Sequence, residues 1–228
     1  MQLDTGFRPS RHGFGFPNRW RGPLLGLRSP GRCGGMVFAA LDAFLAGREL
    51  SVEARSSAVP PPRSALAASI RGRQADSVLM RLAANLWQFV RYTWLPSALG
   101  RGVAVKSRVE LLALFDMLRS GRPAPLGLVN ALRPLRLAAN HQVLAYAADF
   151  GEQRTTISVY DPNHPKSDDV VLVVPISPAE PVVERSAKRT KRWRGFFIVH
   201  YSPKPPKPDA LTPVASEGAG DTRSPRRR

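Results

Sequence analysis

Three residues of this sequence have the types that nucleophilic catalysis requires. Cys33, in the stretch GRCGGMV, is the only cysteine among 228 residues. A thiol becomes a nucleophile when its pKa is lowered, and a helix N-terminus together with a nearby imidazole has this effect. His141 opens the stretch HQVLAYA, and Asp161 begins DPNHP. The set predicts a thiolate nucleophile, an imidazole base and a carboxylate that orients the imidazole.

The residues after Cys33 favour a reactive thiol. A lone cysteine is more often a small buried hydrophobe. Residues 36–45, however, carry apolar side chains at helical spacing and Gly47 follows as a stop, so Cys33 is placed at or just before a helix N-terminus. Gly34 and Gly35 are expected to leave the sulfur open to the backbone of a substrate.

A predicted hairpin brings the other two residues together. The letters DFGEQ separate two strand-like segments, residues 141–147 and 155–160, and are typical of a turn. If the turn centres on Gly151, residues whose numbers add up to 302 face each other, which places Asp161 beside His141.

The orienting role has two candidates. A register slip of two residues would bring Asn163 to the imidazole instead of Asp161. Asp161 before Pro162 is also typical of a turn with no catalytic role, because an Asp side chain bonds the backbone that follows it. Both alternatives stay open at this point.

The order of the predicted elements indicates an α+β fold. Helices are predicted over residues 36–45 and 64–94, and a third is predicted from a capping box formed by Ser107 and Glu110. The later part of the chain changes to short segments rich in β-branched and aromatic residues. The predicted strands are residues 124–129, 141–147, 155–160, 170–174 and 195–201. We expect N-terminal helices packed on a C-terminal antiparallel sheet.

Three short motifs resemble those of papain-like cysteine peptidases. They are CGGM opening a helix, NHQVLAYA and VYDPN, in the chain order Cys, His, Asp. The resemblance covers roughly residues 12–176 and is strongest to the bacterial double-glycine-processing branch and its uncharacterised bacterial relatives. It implies a papain-like fold in which Cys33 is the nucleophile, His141 the general base and acid, and Asp161 the orienting residue.

The resemblance also implies an oxyanion hole. In that superfamily an upstream amide side chain, commonly Gln, acts with the backbone N–H of the nucleophile. Asn18 is the only amide side chain between Gln2 and Cys33, which makes it the candidate. Met36 stands where a large ring is usual, and this departure keeps open a catalytically inactive relative that binds a peptide or an acidic partner.

The implied activity is that of a thiol hydrolase or acyltransferase acting on a peptide or amide bond of a peptide or protein substrate. Hydrolysis and acyl transfer share the same first step, and the sequence does not choose between them. We expect no cofactor and no metal, because one cysteine and separated histidines give no usual zinc spacing. His164, in PNHP, is expected to be an exposed turn residue.

Charge and apolar length restrict the partners. The chain has 34 Lys and Arg against 17 Asp and Glu, for a formal charge of +17. Its densest basic run, residues 185–194, attracts nucleic acid only by non-specific charge, so a basic nucleic-acid-associated protein is a third hypothesis. Residues 170–176 are far shorter than the roughly 20 residues of a membrane span. With no signal-peptide pattern, we expect a soluble cytoplasmic protein.

Three segments are expected along the chain. Residues 1–11 form a flexible N-terminus, and residues 12–203 form the papain-like domain. Residues 204–228 form a disordered, basic, proline-rich tail, because they contain too little apolar surface to pack.

Overall fold

The structure, a computed structural model, places helices before a curled antiparallel sheet, which confirms the α+β class. It describes residues 1–20, 23–24, 27–28, 31–97, 102–132, 139–207 and 211. The helices are α1 (Pro9–His12), α2 (Cys33–Leu45), α3 (Val52–Arg55), α4 (Ala65–Trp94) and α5 (Val103–Arg119). Within the described part of the chain, no helix is both long and apolar enough to cross a membrane.

The three predicted helices are confirmed as α2, α4 and α5. Helix α2 begins at Cys33 itself. Helix α4 begins after Ser64, whose hydroxyl accepts the Ala67 N–H at 3.2 Å, and it ends just before Leu95. Pro96 disfavours helical backbone at the residue before it, which explains this end.

An eight-stranded sheet forms most of the second half of the chain, and all its pairings are antiparallel. The strands are β1 (Gln2–Asp4), β4 (Ala124–Val129), β5 (His141–Phe150), β6 (Arg154–Tyr160), β7 (Val171–Pro175), β8 (Val182–Arg185), β9 (Thr190–Trp193) and β10 (Gly195–Ile198). A separate small pair consists of β2 (Pro23–Leu24) and β3 (Leu27–Arg28). The order in the large sheet is β10-β4-β5-β6-β7-β8-β9, and β1 pairs with the second half of β5.

All five predicted strands are confirmed, whereas β1, β8 and β9 of the large sheet and the small pair of β2 and β3 were not predicted. Strands β8 and β9 form a hairpin that contains most of the basic run of residues 185–194. Only alternate side chains of this hairpin face inward, among them Glu184 and Trp193, each 1% exposed. Glu184 and its cross-strand partner Lys191 put charged residues on the inward face, which breaks the apolar alternation by which a strand is predicted.

The first turn of α2 packs tightly between α4 and β5. A Cβ atom on Gly34 would lie 2.6 Å from the Gln142 amide oxygen and would overlap the Ser77 hydroxyl, and one on Gly35 would overlap the Ile70 carbonyl. The two glycines therefore permit close packing of neighbouring elements. The expectation that they open the sulfur to a substrate is wrong.

A bulge sets the register between β5 and β6. Asp149 pairs with Thr156, so the facing residue numbers add up to 305 rather than the predicted 302. The turn is longer on its β6 side than predicted, with the Gly151 N–H bonded to the Arg154 carbonyl at 3.1 Å. Tyr146 is then an extra residue in β5, and beyond it the facing numbers add up to 304.

The predicted capping box is wrong. Helix α5 begins four residues earlier than Ser107, which is fully buried inside the helix. Its hydroxyl oxygen accepts the Phe196 N–H at 2.7 Å and lies 2.9 Å from the Val103 carbonyl and 2.8 Å from the Phe196 carbonyl, either of which can accept its proton. Glu110 accepts the Ile198 N–H at 3.0 Å. These residues fasten α5 to β10 instead of capping a helix.

The N-terminus is ordered, so the expectation of a flexible segment over residues 1–11 is wrong. Strand β1 pairs with β5, and the Phe7 ring is fully buried in the core. The local sequence contains few apolar residues, and its order comes from pairing with a strand about 145 residues away.

The beginning of the expected tail, residues 204–228, also contacts the domain. The Lys204 N–H bonds the Asp42 carboxylate at 3.0 Å, and Leu211 forms a β-bridge with Leu50. The rest of the segment from residue 208 lies outside the described residues.

Replacing Ser107 with Ala should destabilise the protein by about 1 to 3 kcal/mol, because the buried Phe196 N–H loses its acceptor. The measurement is the free energy of unfolding from urea denaturation. Ser120→Ala is the control, since that exposed hydroxyl also bonds a carbonyl of α5, and it should cost less than about 0.5 kcal/mol. Equal losses in the two variants would contradict the fastening role.

Candidate active site

Cys33 is the first residue of α2 and is only partly buried. The side chain of His141 and the backbone N–H groups of Gly34 and Gln142 lie close enough to its sulfur to lower the pKa of the thiol. The N–H of Gln142 comes from β5 and that of Gly34 from the first turn of α2. The sulfur therefore lies where the helix N-terminus meets the sheet, and donors from both stabilise a thiolate.

His141 is the first residue of β5 and is 7% exposed. Its Nε2 atom lies 2.6 Å from the Asp161 Oδ1 atom, so Nδ1 remains for the Cys33 side chain. The Trp193 ring lies nearly parallel to the imidazole, at 6.3 Å between centroids. The imidazole thus joins the two predicted partners, and the structure brings the predicted catalytic residues together.

Asp161 and Asn163 both contact His141. Continuing the observed register of β5 and β6 would place Asn163 opposite His141, not Asp161. Asp161 follows the end of β6 and begins a turn, in which the His164 N–H bonds the Asp161 carbonyl at 2.8 Å. Its Oδ1 atom also accepts the Asn163 N–H at 2.8 Å.

The amide of Asn163 takes part as well. Its Nδ2 atom lies 3.0 Å from the Nε2 atom of His141. When Nε2 is protonated and donates to Asp161, this nitrogen has no lone pair that could accept the amide N–H of Asn163. The amide oxygen of Asn163 must then face the ring. Asp161 can therefore begin the turn and contact the imidazole at the same time. Asn163 makes a second polar contact with the imidazole of His141.

The charges of this cluster reinforce each other. Burial raises the pKa of the Cys33 thiol, but the His141 charge, its hydrogen bond and the two backbone N–H groups outweigh burial and hold that pKa below its usual value. Burial lowers the pKa of His141, but the negative charges of Asp161 and Cys33 raise it to about 10. Burial also raises the pKa of Asp161, and the imidazolium charge more than offsets this. A thiolate–imidazolium pair at neutral pH follows.

Asn18 is buried next to the residue that precedes Cys33. Its side-chain oxygen accepts the Arg32 N–H at 2.5 Å, and its own N–H bonds the Pro162 carbonyl at 2.9 Å. It is thereby tied both to the residue before Cys33 and to the residue after Asp161. Met36 is fully buried in the core.

Four residues near the site were not predicted to belong to it. Gln142 donates its backbone N–H to the sulfur, and Trp193 donates its indole N–H to the Glu184 carboxylate at 2.8 Å. The expectation that His164 is exposed is wrong, because its side chain is only 11% exposed. Among the described residues, Asp161, His164 and Glu184 place three ligand-type atoms within 4.8 Å of one another, which is the geometry of a candidate metal site.

Long-range pairing explains why these residues were missed. Glu184 and Trp193 come to the site through the β8–β9 hairpin, which the sequence pattern did not reveal. The signal for His164 was its position three residues after Asp161, within one turn. Comparisons with protein-family models, with curated proteins and with solved structures return no match.

The rate of Cys33 alkylation by iodoacetamide should stay high well below pH 8, because the thiol pKa is lowered and thiolate is lost only as the pH falls through that lowered value. In His141→Ala, burial still raises the pKa of the Cys33 thiol, but the imidazolium that lowers this pKa is absent. We expect the rate at pH 6.5 to fall by roughly tenfold or more in this variant. Because Cys33 is the only cysteine, intact mass counts the modification directly.

His200→Ala is the control, since that side chain is exposed. It should keep the wild-type pH profile. A wild-type rate that follows an ordinary thiol, and that neither variant changes, would show that Cys33 and His141 do not form an ion pair.

The same assay separates the two orienting candidates. Asp161→Asn removes the negative charge that stabilises the imidazolium, so alkylation at pH 6.5 should fall by roughly tenfold or more. Asn163→Ala removes a neutral contact and should lower the alkylation rate at pH 6.5 by less than about threefold. A larger loss in Asn163→Ala would assign the orienting role to Asn163.

Proposed function

We propose that this chain is a papain-like thiol hydrolase or acyltransferase that acts on a peptide or amide bond through Cys33, His141 and Asp161. The observation that carries the proposal is the imidazole of His141, which is hydrogen-bonded at Nε2 to Asp161 and interacts electrostatically with the Cys33 side chain. The chain order Cys, His, Asp and the layout of helices before an antiparallel sheet support the papain-like assignment.

The reaction begins with the thiolate. The Cys33 sulfur attacks the carbonyl carbon of the substrate, and the carbonyl electrons move onto oxygen. As the tetrahedral intermediate collapses, the C–N bond breaks and the imidazolium of His141 donates its Nδ1 proton to the leaving amine. The product of this half-reaction is an acyl group held as a thioester on Cys33.

The second half-reaction releases the acyl group. Neutral His141 takes a proton from water or from an acceptor amine, which attacks the thioester carbonyl. The thiolate leaves, and the thiolate–imidazolium pair is restored. Asp161 keeps its proton-free state throughout and fixes the orientation of the ring. Water gives hydrolysis and an amine gives acyl transfer.

Asn18 is the proposed side-chain donor of the oxyanion hole. Its oxygen is occupied by the Arg32 N–H, which fixes the amide plane next to the nucleophile. Its Nδ2 group and the backbone N–H of Cys33 would then receive the negative oxygen of the intermediate. Donors fixed before the reaction need no reorganisation when charge develops, and a single such donor contributes about a hundredfold to a thousandfold in rate.

Two other functions remain as alternatives to this proposal, a catalytically inactive binding module and a basic nucleic-acid-associated protein. An inactive module would have the same cleft without turnover. For a nucleic-acid-associated protein, the exposed basic residues of the β8–β9 hairpin, among them Arg185, Lys188 and Arg192, support non-specific attraction to polyanions. The proposed oxyanion donor and ion pair have no role in either alternative.

The proposal predicts a covalent acyl-enzyme. Incubation with a panel of peptidyl p-nitrophenyl esters should give a mass increase equal to the acyl group on Cys33, and Cys33→Ser and His141→Ala should give none on the same timescale. Adding a free amine should then show whether the acyl group passes to water or to the amine. Peptide amides of the reactive acyl groups would be tested next.

Asn18→Ala should lower kcat/KM for acylation by about a hundredfold or more, while leaving the alkylation profile of Cys33 unchanged. Gln153→Ala, which removes an exposed amide, is the matched control. If Cys33 is alkylated rapidly below pH 8 but no ester or amide of the panel acylates it, the inactive binding module is favoured instead.

A further inference from the structure

A group of buried polar atoms behind the catalytic residues lacks hydrogen-bond partners. Among the described residues, seven buried side-chain nitrogen and oxygen atoms have none, and three of these are Asp161 Oδ2, His164 Nε2 and Glu184 Oε1. Asp161 is fully buried and Glu184 is 1% exposed. Unpaired buried polar atoms are costly, so three of them in one place indicate a missing ligand.

Each of the two carboxylates has one oxygen engaged and one oxygen unengaged. Asp161 uses Oδ1 for His141 and the Asn163 N–H. Glu184 uses Oε2 for the indole N–H of Trp193 at 2.8 Å. The ligand-type atoms of Asp161, Glu184 and His164 lie within 4.8 Å of one another.

We propose that Asp161, His164 and Glu184 form a binding site for a divalent transition metal ion, of which Zn²⁺ is the representative. The site is separate from the thiol chemistry, although it shares Asp161 with the proposed catalytic triad. The expectation of no metal was based on the spacing of cysteines and histidines in the sequence. It did not take into account Glu184, a carboxylate that β8 brings to this place.

A water molecule does not satisfy these atoms as a cation does. Two carboxylate oxygens and the lone pair of a neutral imidazole are all acceptors, and a water molecule donates only two hydrogen bonds. A proton on His164 does not satisfy them either, because the single N–H at its Nε2 atom donates to one acceptor, whereas two carboxylate oxygens lack partners. A cation accepts all three lone pairs.

The mixed set of ligands selects the kind of metal. One imidazole nitrogen with two carboxylate oxygens suits Zn²⁺, whereas Mg²⁺ and Ca²⁺ prefer oxygen ligands alone. Three protein ligands leave a fourth tetrahedral position for water. At zinc distances the ligand atoms are separated by about 3.3 Å, so the 3.9 Å between Asp161 and His164 has to close by about 0.6 Å.

The neighbouring cations leave the site accessible to a metal. The Arg189 guanidinium lies 3.9 Å from the Glu184 Oε1 atom and is about half exposed, so it can turn to solvent. The Lys191 ammonium lies over the Trp193 ring, at 3.7 Å from its centroid. A divalent ion also balances charge, because together with the imidazolium of His141 it offsets the carboxylates of Asp161 and Glu184 and the Cys33 thiolate.

The metal would join elements that are distant in sequence. Asp161 and His164 belong to the turn between β6 and β7, and Glu184 belongs to β8. A bound ion would fix the carboxylate of Asp161 from behind while its other oxygen holds His141. Its role in this proposal is to position Asp161, not to contact the substrate.

The test uses the full-length Cys33→Ser chain, in which the thiolate is removed as a competing zinc ligand. We expect one Zn²⁺ per chain by titration calorimetry, and a rise in Tm of about 5 to 10 °C when free Zn²⁺ is about 100 times Kd. Mg²⁺ at the same concentration should give no rise. This measurement requires no ligand variant and no activity, so its result is independent of the proposed function.

Ligand variants in the same background identify the site. His164→Ala and Glu184→Gln should each weaken Zn²⁺ binding by at least about tenfold, with circular dichroism as the check of folding. His200→Ala and Glu152→Gln, both at exposed positions, should bind as the parent chain does. Glu184→Gln keeps the side-chain volume and an acceptor for Trp193, so it serves if His164→Ala does not fold.

Two results would overturn the proposal. One is the absence of a Zn²⁺-dependent rise in Tm in Cys33→Ser, or an equal rise with Mg²⁺. The other is a folded Glu184→Gln chain that binds Zn²⁺ as tightly as the parent.

Discussion

The fully buried carboxylate of Asp161 is the constraint around which the site is arranged. A buried charge is strongly destabilising unless opposite charge and hydrogen bonds surround it. His141 and the Asn163 N–H both contact the Oδ1 atom of Asp161, and the conformation of the turn after β6 makes both contacts possible. The same turn offers the Pro162 carbonyl to Asn18, so the candidate oxyanion donor is also positioned from this side. In turn, the imidazolium that balances Asp161 stabilises the thiolate.

The proposed nucleophile and its proposed base come from different halves of the fold. Helix α2 supplies the sulfur, and β5 supplies both the imidazole and a backbone N–H to the sulfur. Their relative position is fixed by packing rather than by a cap, since the residue before Cys33 makes no side-chain capping bond. The absence of side chains at Gly34 and Gly35 lets α4 and β5 press against the first turn of α2. A protein interior packed to this density holds reacting groups in place before a substrate arrives.

Local patterns predicted a large part of this arrangement. Strand β4 has the predicted ends, α2 begins at the predicted cysteine, and the three proposed catalytic residues meet. The sequence did not predict features that depend on distant contacts. Ser107 and Glu110 have the spacing of a capping box, but their partners are in β10, almost ninety residues later. The hairpin of β8 and β9 was not predicted because its inward face contains the charged pair Glu184 and Lys191. Residue types therefore indicated the chemistry, whereas register and tertiary packing determined which neighbours complete the site.

The bulge at Tyr146 has a consequence for how this strand can vary. Side chains alternate between the two faces of a strand, so the extra residue reverses which face each position of β5 presents on the two sides of the bulge. Ala145 and Ala147 face consecutive residues of β6, so the loss of Tyr146 would leave a regular ladder in which His141 keeps both its face and its place opposite β6. In a strand without a bulge, the loss of one residue would instead turn the imidazole to the opposite face of the sheet. The bulge therefore gives this part of β5 one residue of tolerance in length that a regular strand does not have.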